Sequence, residues 1–228
     1  MNESEHAGAW RRSVPLAACF ERTMSHNGNQ SGFREVADAD FPTEFGHFRI
    51  HGFEGQYSGE LEEAVVLEMG DIASAEPTLV RIHSQCLTGD VFHSLRCDCR
   101  AQLDLSLELI AAEGRGLLIY EHQEGRGIGL ANKLRAYQLQ DGGADTVEAN
   151  LRLGFKADHR GYGLPVDILR HFHVTAVRLL SNNPDKIAAL EAAGIRIAER
   201  VPCEVAPGAS SAHYLRTKKE KLGHLLDL

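Results

Sequence analysis

Apolar and polar positions alternate first, and only later fall into helical spacing. His47-Phe-Arg-Ile-His-Gly-Phe53 has the period of two of a half-buried strand, and Ala64-Val-Val-Leu-Glu-Met69 reads as a buried one. A third strand, Leu79-Val-Arg-Ile-His-Ser84, runs directly into Cys86. Ordered structure is expected to begin near Phe33 and to be strand-rich at first.

After Cys99 the period changes. Leu103, Leu107 and Ile110 share one face of an amphipathic helix that ends at Gly114 and Gly116. Leu117-Leu-Ile-Tyr120 is the next buried strand, followed by the loop Glu121–Gly127 and a helix from about Ile128 to Gln140. A second strand–loop–helix unit follows: Val177–Ser181, Asn182-Asn183, then a helix from Pro184 to Ala193. Proline suits the first helical position, and Gly194 supplies the stop. Ile195–Ala198 begins a last strand, and Tyr214–Leu226 reads as a terminal helix. This order predicts one α/β (α+β) domain over residues 33–228, with a strand-rich N-terminal half and strand–helix alternation around a mixed sheet. Residues 1–32 are expected to be a poorly ordered extension. Ligands in such folds bind at loops leaving the C-terminal ends of strands.

Charge narrows the partners. The 228-residue chain has a formal net charge of −8, which disfavours nucleic acid as a partner. A small phosphorylated ligand in a locally basic pocket is still compatible with it. No apolar run approaches a membrane span, and Val14–Phe20, broken by Pro15, is a poor secretory segment. The five cysteines are unevenly spread, which points to metal in a reducing compartment rather than to disulfides; a cytoplasmic location is expected.

Three of those cysteines, Cys86, Cys97 and Cys99, fall within fourteen residues. Thiolates at such range repel one another unless a cation neutralises them, and Zn²⁺ is the usual choice. Three ligands rather than four would leave a coordination position open, as in catalytic zinc sites. The bland alternative is a chance cluster of small core residues.

Other segments are ambiguous alone. Glu124-Gly125-Arg126-Gly127 lies between a strand and a helix, where backbone N–H groups and a guanidinium can meet phosphate, yet a plain tight turn fits as well. Lys133 and Tyr137 share a helix face at i, i+4, with Arg135 pointing elsewhere. Asp158 and Arg160 fit either a solvated turn or a proton acceptor beside a phosphate-directed cation. Lys186 is either an exposed helix lysine or a phosphate ligand. No H-E-x-x-H or deaminase-type zinc pattern is present.

Taken together, the segments resemble GTP cyclohydrolase II, which opens riboflavin synthesis. The resemblance is carried by His83-Ser84-x-Cys86-Leu-Thr-Gly-Asp90, Ser94-Leu-Arg-Cys97-Asp-Cys99, Gln123-Glu-Gly-Arg126, Asn132-Lys133-x-Arg135-Ala-Tyr137, Asp145-Thr-Val-Glu-Ala-Asn150, Leu153-Gly-Phe155, Asp158-x-Arg160, Asn182-Asn-Pro184 and His213-Tyr214-Leu, in the family's order. It implies hydrolysis of GTP at C8 with loss of formate and pyrophosphate. Zinc on Cys86, Cys97 and Cys99 would serve the base, and Mg²⁺ would accompany the triphosphate. It also implies a GTP site lined by Arg81, Ile82, His83, Ser84, Gln85, Gln102, Glu124, Gly125, Arg126, Thr146, Ser181 and Lys186. The implied catalytic residues are Tyr137, Asp158 as proton acceptor and Arg160 as nucleophile. An arginine nucleophile sits badly with a group that is effectively never deprotonated, so a phosphate clamp is the competing reading. A homodimer is implied too.

Four positions depart from the family's usual residues: Gln85 for glutamate, Ser181 for threonine, Gly127 for asparagine and His122 for arginine. They leave room for a relative that expels pyrophosphate but keeps the formyl group, or serves another pathway. A zinc-stabilised nucleotide-binding protein without turnover and a zinc hydrolase of another nucleotide are further alternatives.

Overall fold

A computed structural model describes residues 32–73, 77–156, 158–205 and 211–227. Most of the expected extension, residues 1–31, lies outside them. The chain begins as an antiparallel meander: β1 (Arg34–Thr43), β2 (Gly46–Tyr57) and β3 (Glu60–Met69). It continues through β4 (Thr78–Ser84), the single turn α1 (Leu87–Asp90), α2 (Cys99–Glu113) and β5 (Gly116–Glu121). Three helices follow, α3 (Leu130–Asp141), α4 (Thr146–Arg152) and α5 (Gly163–His171), then β6 (Ala176–Leu180), α6 (Pro184–Ala192), β7 (Arg196–Val201) and α7 (Ala212–Leu222).

All seven strands form one mixed sheet in the order β1-β2-β3-β5-β4-β6-β7. The β3–β5 pairing is antiparallel, whereas β5, β4, β6 and β7 run parallel. The α/β expectation therefore holds, with the meander as an antiparallel wing on a parallel core.

Alternation along the central strands sorts their side chains to two faces. Val80 and Ile82 of β4, with Leu117 and Ile119 of β5, pack into a core that includes Leu164, Ile168 and Leu169 of α5 and Leu190 of α6. Leu79, Leu118 and Leu180 face the other way, onto Leu107 and Ile110 of α2. Arg81 and His83 share that second parity and lie where the α2 face reaches the C-terminal ends of the strands. Polar residues thus enter the interior at the sheet edge where loops bind ligands.

Several elements differ from expectation. The edge strand β1 lacks a buried face, with seven consecutive exposed positions from Val36 to Pro42, so it leaves no alternation to read. Helix α4 is only seven residues long; it is announced by a capping box in which Asp145 accepts from the N–H groups of Val147 and Glu148. Helix α5 carries Pro165 in its first turn, where proline is tolerated. The terminal helix stops at Leu222 rather than Leu226, because Gly223 takes a left-handed conformation, φ 63°.

Candidate active site

The three cysteines converge although their ligand atoms come from different elements. Cys86 follows β4, Cys97 ends the loop after α1, and Cys99 opens α2. The ligand atoms all lie within 4.8 Å of one another, and Cys86 Sγ is 3.7 Å from Cys97 Sγ. Two thiolates bound tetrahedrally at the usual zinc–sulfur distance are about 3.8 Å apart. Gly89 makes the approach possible: a Cβ there would stand 2.9 Å from Cys97 Sγ and 3.1 Å from Cys86 Sγ. Asp90 ties the loop to the sheet, accepting from Cys86 N at 2.9 Å and Tyr120 OH at 2.8 Å, with His83 Nε2 3.3 Å away. Burial pushes the His83 pKa down, so its ring is a neutral spacer here. A soft dication fits this donor set.

A cation already leans on the sulfurs. Lys133 Nζ donates to Cys86 Sγ at 3.0 Å and to Glu124 Oε1 at 2.6 Å. Glu124 is buried and fully engaged, since its Oε2 also accepts from Leu87 N at 2.7 Å. The Cys86 thiol is pushed down, first by hydrogen bonds from Cys97 and Cys99 and then by Lys133. One helical turn on, Tyr137 OH lies 3.0 Å from Thr88 Oγ1. Burial raises the Tyr137 pKa, so the phenol stays protonated. Arg135 is exposed and bonds Asn132, consistent with the helical spacing.

The loop that carries Glu124 turns tightly. Gly125, Arg126 and Gly127 have φ values of 64°, 63° and 84°, a run that two glycines make accessible. Arg126 bears the strain of a left-handed non-glycine residue, and its buried Nη1 has no hydrogen-bond partner among the described residues. The Arg126 carbonyl accepts from His159 N at 3.0 Å, which joins this loop to the segment carrying Asp158 and Arg160.

At the opposite end Ser84 Oγ is a hub. It lies 3.3 Å from each of Glu121 Oε2, Arg160 Nη1 and Lys186 Nζ. Arg160 grips Asp158 with Nε and Nη2. Burial opposes both charges, but the pairing outweighs it, lowering the Asp158 pKa and raising that of Arg160. Lys186 is 4% exposed and donates to Ile82 O at 2.7 Å; burial pushes its pKa down to about 7. Glu121, 4.0 Å from it and 1% exposed, is pushed up to about 7 by burial. Arg81 spans both ends, donating to Leu180 O at 2.9 Å and Gln102 Oε1 at 2.7 Å.

One cavity connects these groups. Of the residues singled out in the sequence, it is lined by the three cysteines, Arg81, His83, Ser84, Gln85, Gln102, Glu124, Gly125, Arg126, Tyr137, Thr146, Arg160, Ser181 and Lys186. Asp158 stands behind Arg160. The Ile82 side chain belongs to the core, and only its carbonyl faces the site, bound to Lys186. Sequence reasoning passed over Glu121, Lys218 and His224, while Asn183 and Tyr214 entered it only as parts of motifs, without a role in the site. Glu121 follows an apolar strand and read simply as the start of a loop. Lys218 and His224 come from a segment whose periodicity announced only a helix. His224 is pushed down to about 3, by burial first and then by Lys218, Arg126 and Arg160.

Comparison with known proteins supplies the family. The model of a family described as GTP cyclohydrolase II matches residues 34–202. The GTP cyclohydrolase-2 of Azotobacter vinelandii is 55% identical over 191 residues, 84% of this chain and 91% of that protein. That of Pseudomonas aeruginosa PAO1 is 56% identical over 191 residues, 84% and 92%, and that of Actinobacillus succinogenes is 53% identical over 193 residues, 85% and 88%. Among solved structures, a two-domain 3,4-dihydroxy-2-butanone 4-phosphate synthase from A. baumannii aligns with 77% of this chain and 40% of its own at 18% identity and a TM-score of 0.41, and bears on neither fold nor function. With more than half of the chain matched and relatives above 50% identity along most of both lengths, the chain belongs to the GTP cyclohydrolase II family.

Proposed function

We propose that the protein hydrolyses GTP at C8 of the guanine, releasing formate and pyrophosphate and leaving 2,5-diamino-6-(5-phosphoribosylamino)pyrimidin-4(3H)-one, as the first step of riboflavin synthesis. The observation that carries this reading is the joining of a three-cysteine cluster and the basic side chains of Arg126, Arg160 and Lys186 in one cavity. The curated relatives' name, GTP cyclohydrolase-2, supports the substrate.

Cys86, Cys97 and Cys99 would hold one zinc ion. Bound there, zinc supplies a Lewis acid that makes water nucleophilic near neutral pH. Three thiolates outweigh a dication by one negative charge, and the Lys133 ammonium on Cys86 offsets it. Tyr137, neutral and held by Thr88, is suited to orient the water or pass its proton as the imidazole ring opens. One water adds at C8 and opens the ring, and a second releases the formyl group as formate.

At the other end, water attacking the α-phosphorus forms the new P–O bond as the bond to the pyrophosphate oxygen breaks; Mg²⁺ brought with the triphosphate would offset charge on the phosphates. Arg126, whose Nη1 has no partner among the described residues, and Arg160 and Lys186 around Ser84 offer cations where that charge develops. Arg160 is bonded through both Nε and Nη2 to Asp158, which keeps it protonated. That supports a clamp on the phosphates over a nucleophile. The test is a mass spectrum of the products formed from GTP and Mg²⁺, with zinc, formate and pyrophosphate measured alongside. Pyrophosphate without formate would replace this reading with the formyl-retaining variant, and absence of both would end it.

A further inference from the structure

The groups given a chemical role so far all precede Pro202, where the family match ends. Yet α7, which begins ten residues later, sends a charged side chain inside. Lys218 is 8% exposed; its ammonium sits 4.6 Å above the Tyr214 ring, and its Nζ donates to Asp98 Oδ1 at 2.8 Å. Asp98 is the residue between Cys97 and Cys99 and the N-cap position of α2. Its other oxygen accepts from Gln102 Nε2, and Gln102 Oε1 accepts from Arg81 Nη2.

A buried lysine needs a partner, and this one has spent its charge on the residue between two sulfur ligands. The Asp98 side chain makes no bond to the backbone N–H groups of the helix it precedes. Its two oxygens are instead shared between Lys218 and Gln102, so the ammonium fixes the orientation of the Cys97-Asp98-Cys99 turn. Such outer partners commonly set how well a metal site holds its ion.

We propose that Lys218 is a positioning residue: through its ion pair with Asp98, the C-terminal helix locks the turn carrying Cys97 and Cys99 into the geometry that binds zinc. The inference rests on the zinc reading above and is tested apart from turnover. Full-length protein loaded with Zn²⁺ is titrated with a chelator of known affinity, comparing wild type, Lys218→Met, Lys218→Arg and Lys218→Met/Asp98→Asn. Expected is a loss of zinc affinity of roughly tenfold or more in both variants that lack the cation, with most of it recovered by arginine. Where Lys218→Met fails to fold, the double variant, which buries no unpaired charge, gives the reading. Wild-type affinity in a folded variant lacking the cation overturns the proposal, and so does an arginine variant as weak as the methionine one. Wild type that binds no zinc would overturn the metal reading itself, an outcome distinct from both.

Discussion

Lys133 Nζ reaches Cys86 Sγ at 3.0 Å while paired to Glu124 at 2.6 Å, so the ammonium bridges a carboxylate and a sulfur. The bridge places a buried positive charge against the sulfur rather than in solvent. Replacing Lys133 with methionine should weaken zinc binding by roughly ten- to a hundredfold. Chelator competition checks it, and unchanged affinity would show that the ammonium serves substrate alone.

Gly89 permits the sulfurs to close. With a Cβ 2.9 Å from Cys97 Sγ, Gly89→Ala should purify folded but with far less than one zinc per chain. Elemental analysis beside far-UV circular dichroism decides; a full zinc complement would mean that the loop yields.

Lys186 should make nucleotide binding pH-dependent. Burial lowers its pKa to about 7, so in the free protein its charge is present below that pH and lost as pH rises through it. Arg160 and Arg81 add to the depression, whereas Glu121 and Asp158 oppose it. KM for GTP should therefore climb above about pH 7, and Lys186→Arg, always charged, should flatten the rise. A KM profile between about pH 6 and 9 reads both.

Tyr137→Phe removes the hydroxyl bonded to Thr88 while leaving the ring. A proton-handling role predicts a kcat lowered by roughly 10²- to 10⁴-fold with KM little changed. A change confined to KM would assign the ring to stacking instead.

Asp158→Asn leaves Arg160 without its carboxylate, freeing the guanidinium to swing from Ser84. Pyrophosphate release should fall more than formate release, because the perturbation lies at the Ser84 end of the cavity. Equal losses in both products would argue for one shared slow step.

Much of the fold was legible because central strands and long helices carry strong periodicity. Leu79–Ser84 and Leu117–Tyr120 are both buried strands, and the helix after Asn183 starts at Pro184. What escaped was decided elsewhere in space. β1 pairs its backbone with β2 and leaves no apolar stripe, while α4, at seven residues, is about two turns long. Within the site, the cysteine spacing and the Glu-Gly-Arg loop were visible in one stretch each. Glu121 and Lys218 were not, because the partners that give them meaning lie 65 and 120 residues away in the chain.

Among the described residues, seven lysine and arginine side chains line the cavity against a single lining carboxylate, Glu124, in a chain whose net charge is −8. Asp98 behind Lys218 and Asp158 behind Arg160 offset part of that charge from outside the lining, so the cations are what the cavity wall itself presents. A polyanion too broad to enter meets a repelling exterior, whereas a compact triphosphate is drawn inward by focused potential. The molecule sorts anions by size before any hydrogen bond is made, and that sorting fades as salt screens the attraction.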